Sequence, residues 1–321
     1  MTYRIRLPEG GPHADLDIVE PSTTAVQRAL RRDGLAGYEP PTMATLLALF
    51  ASQDDGFVFF DIGANMGLYA ATCARLFAPG RVHAFEPAPP SAEVVRKVAR
   101  SNRLDLEVFE VAVGDANGTA SLHLSDKSDA SNSLVPGFKK SSGSIEVRTV
   151  RLDDHVRATG AVPDVMKIDV ETFEPQVIAG ATRTIADARP IIVLEVLKRR
   201  GHDHGEEITA AMQPFGYHYY PLSETPDWTP RDEVQGGSAG VGCNDWLLAP
   251  EPLDESMGES FALYRQRLRA CQPQFNSRVP LTRAVVAAIK RGGIAEVIAS
   301  GRRYRAERRG AGDPDSTESE R

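Results

Sequence analysis

From Phe57 onward the chain alternates short, unbroken apolar runs with longer stretches in which apolar residues recur every three or four positions. The runs FVFFD (57–61), RVHAFE (81–86), LEVFEVAV (106–113), DVMKIDV (164–170) and PIIVLEV (190–196) predict strands, each bounded by Gly, Pro, Asp or Asn. They lack a clean apolar/polar alternation, as expected of strands covered on both faces. The segments 67–77, 91–102, 173–187 and 205–215 predict the intervening helices. In the first of them, Leu68, Ala71, Cys73, Ala74 and Leu76 fall at near-helical spacing before Pro79-Gly80 stops the pattern. Strand and helix in alternation predict βαβ units and a parallel sheet with helices on both faces. GYHYYPL (216–222) and CNDWLLAP (243–250) predict two more strands. Their Gly-, Pro-, Ser- and Asp-rich link leaves no room for a crossover helix, so five parallel strands and a final antiparallel pair are expected.

The same patterning divides the chain. Residues 1–50 read as an N-terminal cap or lid and 51–252 as the α/β domain. Within that domain 114–150 form an insertion in which TASLHL and SIEVRTV alternate like an exposed strand pair around a polar link. Residues 253–310 read as a C-terminal helical extension whose Ile294, Val297 and Ile298 precede an arginine-rich stretch. Residues 311–321 read as a disordered tail.

Composition narrows the partners. A net charge of -7 and a pI near 5.6 argue against a nucleic-acid ligand, which needs a concentrated basic surface. No run approaches the ~18 apolar residues of a membrane span, and the N-terminus shows no signal-peptide pattern. The cysteines Cys73, Cys243 and Cys271 are far apart, without metal or disulfide spacing. The expected protein is soluble and cytoplasmic, with no metal ion, a small-molecule or glycan partner, and a homodimer left open.

The candidate chemistry begins after the first strand. Gly63 and Gly67 let the backbone turn tightly and expose the N–H groups of the next helix. The loop reads Gly63-Ala64-Asn65-Met66-Gly67-Leu68, which breaks the G-x-G-x-x-G dinucleotide fingerprint with Asn at its second glycine and Leu at its third, so a pyrophosphate would be crowded. Glu86 ends the second strand at about the 20-residue spacing of a ribose-binding acid. Asp61 beside the glycine loop repels phosphate and attracts an ammonium. A ligand with a ribose, a cationic amine and no phosphate fits, and S-adenosylmethionine has these features.

DIGANMG, AFEP, AVGDANG, LDDH, KIDVETFE and RPIIVLEV, in that order, resemble the FkbM-type S-adenosylmethionine-dependent methyltransferases over roughly residues 38–250. The resemblance implies a Rossmann-like class I methyltransferase fold, a seven-stranded, mostly parallel sheet with the last strand antiparallel. It implies that Asp61, Gly63, Asn65 and Gly67 line the methionine side, that Glu86 holds the ribose and that Asp115 contacts the adenine. Tyr38-Glu39-Pro40 with Thr42 resembles the segment that closes over the methionine end, which makes Glu39 a cofactor candidate. One position departs: the family has Gly after Asp-Val-Glu, and here Thr172 follows Glu171, which either narrows the acceptor site or tilts Glu171.

In open α/β sheets ligands sit beyond the carboxyl ends of the strands, which nominates Asp169, Glu171 and Glu195 as groups facing a methyl acceptor. Asp169 and Glu195 are catalytic candidates, and capping or pairing with Lys167, Lys198 or Arg199 is the competing account. His202, in His202-Asp203-His204, is a third candidate because an imidazole titrates near ~6.5, although a solvated loop explains the run as well. The carboxylates could hold magnesium, but nothing in their spacing demands it and metal-independent transfer is expected. Glu171, Ser131, Asn132 and Ser133 offer groups for a polyhydroxylated acceptor. The expected activity is O-methylation of a sugar, glycan or specialised metabolite. The alternatives are a nicotinamide-dependent oxidoreductase and a non-catalytic S-adenosylmethionine-binding module.

Overall fold

A computed structural model describes residues 2–8, 15–19, 22–126, 128–138, 140–199, 202–237 and 244–273 of the chain. The described residues belong to one unit, Met1–Gln274. The arginine-rich part of the C-terminal extension and the acidic tail lie outside them.

A hairpin of β1 (Thr2–Arg6) and β2 (Asp15–Val19) leads into α1 (Ala25–Asp33) and α2 (Pro40–Ala51). The α1 helix starts on a capping box, in which Thr24 accepts from the Gln27 N–H while the Gln27 side chain accepts from the Thr24 N–H. The next units are β3 (Val58–Ile62), α3 (Leu68–Leu76), β4 (Arg81–Phe85), α4 (Pro89–Asn102) and β5 (Glu107–Phe109). The insertion supplies β6 (Ala112–Val113), β7 (Gly118–Ser125) and β8 (Ser141–Val150), which form a side sheet of their own. There follow α5 (Leu152–Thr159), β9 (Val165–Ile168), α6 (Glu174–Gly180), α7 (Thr182–Ala188) and β10 (Ile191–Glu195). The last elements are a short ladder of β11 (Lys198–Arg199) and β12 (His202–Asp203), then α8 (His204–Met212), β13 (His218–Pro221), β14 (Asp245–Ala249) and α9 (Glu255–Arg269).

Seven strands form the main sheet in the order β13-β14-β10-β9-β3-β4-β5. β5, β4, β3, β9 and β10 are parallel, and β14 runs antiparallel to both β10 and β13. This is the expected arrangement: β13 and β14 form an antiparallel pair, and of the two only the last, β14, is reversed against the sheet. Two long runs also divide. LEVFEVAV breaks into β5 and β6 in different sheets, and 173–187 splits at Ala181 into α6 and α7.

The core lies on both faces of the sheet. On one side Phe57 stacks on Phe50 of α2 and Phe59 meets the same ring edge-on, and α2 is buried along nearly its whole length from Pro41 to Phe50. On the other, Phe60, Met166, Ile168, Ile192 and Leu194 pack with Val177 and Ile185 of α6 and α7. Each such side chain contributes about 1.5–3 kcal/mol on leaving water. The N-terminal hairpin is anchored where Asn102 of α4 accepts from the Asp17 N–H and donates to the Asp17 carbonyl. The cap therefore shares the main core: α2 packs against α3 and, at the far end of the chain, against α9 through Met257, Phe261, Tyr264 and Leu268. No helix among the described residues is long and apolar enough to cross a membrane.

Strand order reverses between β3 and β9, whose registers pair Asp61 with Lys167 and Ile62 with Ile168. Connections leave these two strands in opposite directions, so a crevice opens beyond their carboxyl ends.

Candidate active site

A cleft of about 710 Å³, counted to its open mouth, occupies that crevice. Its floor is Ile62, Gly63 and Asn65, one side is Phe85, Glu86 and Pro87, and another is Asp169, Val170 and Glu171. The apolar wall is Val111, Ala112, Val113 and Leu122, and Tyr38 with residues Asp129–Ala130 and Asn132–Leu134 closes over the top.

Gly63 has φ +84°, and a Cβ there would lie 1.8 Å from the Asp169 carbonyl oxygen. Only a residue without a side chain lets β3 and β9 come this close at the crevice. Gly67, φ +75°, faces Val95 of α4 and begins α3. Backbone strain collects here too. Glu39, Asn65, Glu171 and Thr172 all have positive φ, between 41° and 78°. Such conformations cost of order 1–3 kcal/mol each and gather where a site overrides local preference.

Glu86 is 7 % exposed, and its carboxylate accepts from the N–H groups of Asn65 at 2.8 Å and Ala88 at 2.9 Å. Burial pushes its carboxyl up to about 8, against the pull of those two hydrogen bonds. Asp61 is buried beneath the glycine loop, where it accepts from the Ala70 N–H, and burial raises it to about 6. Lys167 is 2 % exposed; its Nζ donates to Asp169 Oδ2 at 2.8 Å and lies 4.9 Å from the centre of the Tyr69 ring. Burial works to neutralise this ammonium, but Asp169, Glu39, Asp245 and Asp61 together raise its affinity for the proton. Glu39 accepts from the Tyr69 hydroxyl, and burial takes its carboxyl to about 7. The sheet register places Glu195 beside Asp245, and burial with Asp169, Asp245 and Glu171 raises Glu195 well above the ordinary carboxylate range. The buried Asp245 accepts from the Thr42 hydroxyl.

The structure brings Gly63, Asn65, Glu86, Asp169, Glu171, Asn132 and Ser133 to the cleft wall. Asp61, Glu39 and Glu195 stand behind it, in the group around Lys167. Asp115 is an exposed loop residue and does not line the cleft; Val111–Val113 and Leu122 form the wall on that side. Ser131 ends a short 3-10 turn and is likewise absent from the lining. Ser133 donates to the Glu171 carbonyl at 2.7 Å, and Asn132 accepts from the Ser125 N–H, so both are engaged by the protein itself. The backbone of His202 lies in β12, and its side chain is outside what is described. Among the described residues no group of three or more His, Cys, Asp or Glu is arranged to hold a metal ion.

Thr172 takes the turning role that glycine would. Its φ is +78°, its side chain is not part of the cleft lining, and its buried Oγ1 has no hydrogen-bond partner among the described residues. Glu174 supports the turn by accepting from the N–H groups of Val170 and Thr172. Thr172→Gly is therefore expected to raise stability by about 1 kcal/mol, since release of strain and of an unsatisfied hydroxyl outweighs the entropy of glycine. Thermal unfolding checks this, and a lower midpoint would show that the methyl packing of Thr172 dominates.

Sequence reasoning missed Asp129. Its Oδ1 accepts from the Ala25 N–H at the start of α1, and its Oδ2 accepts from Asn65 Nδ2 at 3.0 Å. It so joins cap, insertion and glycine loop. Nothing distinguished it from the other polar residues of SDKSDASN, because its partners are 64 and 104 positions away. Asp245 was also hidden, inside an apolar strand pattern that gives no sign of what faces it across the sheet, whereas the pairing of Asp169 with Lys167, expected as the competing account, is present.

Numbered along the αβ core, the sheet reads third, second, first, fourth, fifth, seventh, sixth, with the seventh strand reversed. With a glycine turn after the first strand and an acid at the end of the second, this is the class I methyltransferase architecture. Within that class, residues 61–219 match the methyltransferase FkbM domain family. Three curated relatives agree. The hexuronic acid methyltransferase AglP of Haloferax volcanii is 31% identical over 152 residues, 46% of this chain and 59% of that protein. The 2-O-methyltransferase NoeI of Sinorhizobium fredii is 32% identical over 148 residues, 41% of this chain and 60% of that protein. The 31-O-demethyl-FK506 methyltransferase FkbM of Streptomyces tacrolimicus is 32% identical over 155 residues, 39% of this chain and 59% of that protein. The matches thus span about three-fifths of the length of these relatives.

Proposed function

We propose that this chain transfers a methyl group from S-adenosylmethionine to a hydroxyl of a sugar, glycan or specialised metabolite. The observation that carries the reading is the pairing, in one cleft, of a glycine turn that admits no side chain with the buried carboxylate of Glu86. The donor fits the residues present. Gly63 lets the turn close against the Asp169 carbonyl and line the cleft with backbone, Glu86 retains lone pairs for ribose hydroxyls, and the apolar wall of Val111–Val113 suits a nucleobase. Asp61 supplies negative charge beside the glycine loop for a cationic donor. A hydroxyl acceptor is supported by the relatives named for 2-O- and 31-O-methyl chemistry.

The bound donor supplies a methyl already activated on a sulfonium, so the protein has to align the acceptor and remove its proton. In this reading Asp169 takes that proton, supported by its position past the carboxyl end of β9 and on the cleft wall. The acceptor oxygen bonds to the methyl carbon as the carbon–sulfur bond breaks, its electron pair stays on sulfur, and the hydroxyl proton passes to the carboxylate. Tyr38 and Glu171 border the same end of the cleft and shape the space for the acceptor.

Asp169→Asn is expected to lower kcat by about 100-fold to 10,000-fold, the usual range for loss of a general base, while binding of S-adenosylhomocysteine stays within about threefold. The measurement is S-adenosylhomocysteine release with a panel of hydroxylated acceptors, with calorimetry on the same samples. Undiminished turnover in the variant would remove Asp169 from the mechanism. Absence of S-adenosylmethionine binding by the unaltered chain would remove the methyltransferase reading.

A further inference from the structure

We propose that Lys167 is a positioning residue for this site: its buried ammonium aligns the Asp169 carboxylate toward the acceptor and keeps it ready to take a proton. The inference rests on the methyl-transfer reading above and adds a residue that touches neither donor nor acceptor.

The strand geometry makes the case. Lys167 and Asp169 stand two apart at the end of β9, so their side chains leave the same face of the sheet. Lys167 is 2 % exposed, does not line the cleft, and spends one of its three donors on Asp169 Oδ2 at 2.8 Å. A lysine with no access to the cleft has no reach to a substrate. It can act on one only through a group that has such access, and Asp169 is the cleft residue it bonds.

The surroundings explain why the cation stays. Asp61 is its register partner on β3, Glu39 comes from the start of α2, and Asp245 from β14. Glu195 on β10 is within electrostatic reach, and the Tyr69 ring of α3 lies against the ammonium. Tyr38 faces Glu39, Asp169 and Glu195 from the cap. Five carboxyl groups therefore surround one amine. Without the amine, Asp169 loses the cation bonded to its Oδ2 while the carboxyl groups around it remain, and that imbalance favours its protonated form. A base already protonated accepts nothing.

The test uses the full chain with saturating S-adenosylhomocysteine and needs no acceptor. The ¹³C-carboxyl NMR signal of Asp169, assigned by its loss in Asp169→Asn, is titrated in the unaltered protein and in Lys167→Met. The expected result is a midpoint higher by about one pH unit or more in Lys167→Met, with S-adenosylhomocysteine affinity changed less than threefold. An unmoved midpoint overturns the proposal, as does a loss of affinity beyond tenfold, which would make Lys167 a support of the donor site. If Lys167→Met does not fold, the pair is read from its other side: the Lys167 ¹⁵Nζ signal should shift in Asp169→Asn, and an unchanged signal overturns the proposal. Failure of the unaltered chain to bind S-adenosylhomocysteine would strike the methyl-transfer reading instead, and the titration in the free protein would still decide whether Lys167 governs Asp169.

Discussion

Gly63→Ala is expected to reduce affinity for S-adenosylmethionine by about 100-fold or more and to destabilise the fold by about 2–4 kcal/mol. The new methyl would stand 1.8 Å from the Asp169 carbonyl oxygen and 3.3 Å from a Val170 methyl, at φ +84°. The obstacle is backbone, and this backbone cannot step aside cheaply. The Asp169 N–H is bonded to the Ile62 carbonyl, which ties the two chain segments together at that point. Relief requires β3 and β9 to part at their carboxyl ends, which moves Asp169 and opens the floor of the cleft. Urea unfolding and calorimetric titration measure the two effects. Stability lost with affinity intact would mean that the turn is a packing device and that the donor binds elsewhere.

Glu86→Ala is expected to weaken binding of S-adenosylmethionine and S-adenosylhomocysteine alike by about 100-fold, because a charged hydrogen bond to each contributes about 1.5–3 kcal/mol and the variant strands two buried N–H donors. The same residue sets a pH dependence. Its carboxyl sits at about 8 in the folded chain because of burial, above the ordinary value of 4.5. Between those two values the native state holds a proton that the unfolded chain has released, so stability falls as pH rises through this window. Donor binding runs the other way. Ribose hydroxyls donate to a carboxylate, so binding expels the proton and affinity increases from about pH 6 to pH 8, then levels off. Titrations in buffers of different ionisation enthalpy would register the released proton. The pH dependence should vanish in Glu86→Ala; its persistence there would assign the proton to Glu39 or Asp61, which titrate at about 7 and about 6.

The parts of this fold legible in the sequence were those governed by short-range pattern. Runs such as FVFFD and PIIVLEV sit within a residue or two of β3 and β10, because a strand buried on both faces must be apolar throughout. The glycine turn was legible for the same reason, since the requirement for φ above zero and for close backbone approach belongs to one position. What failed to show was pairing across distance. LEVFEVAV looked like one strand because nothing in its residues says that Ala112 and Val113 leave for the sheet of β8. Asp115 and Asp129 both lie in polar loops after the third strand, yet only Asp129 reaches the cleft, carried there by the β7–β8 hairpin. Thr172 was recognised as a departure, but its consequence depended on the turn of its backbone, which the Glu174 carboxylate holds through the Thr172 N–H.

The sheet order bears on how far this molecule can be cut. The FkbM domain recognised by similarity ends at residue 219, inside β13, whereas β14 (Asp245–Ala249) sits between β13 and β10. A fragment trimmed to that boundary would lose the strand that joins its own last strand to the rest, and with it the aspartate beside Glu195. It would also lose α2, whose ten consecutive buried residues cover one face of the sheet. The inherited segment and the cooperative folding unit are therefore different objects in this chain. Residues outside the shared segment complete its hydrophobic interior, and a fragment that keeps the sheet whole has to run at least from α2 through the reversed strand.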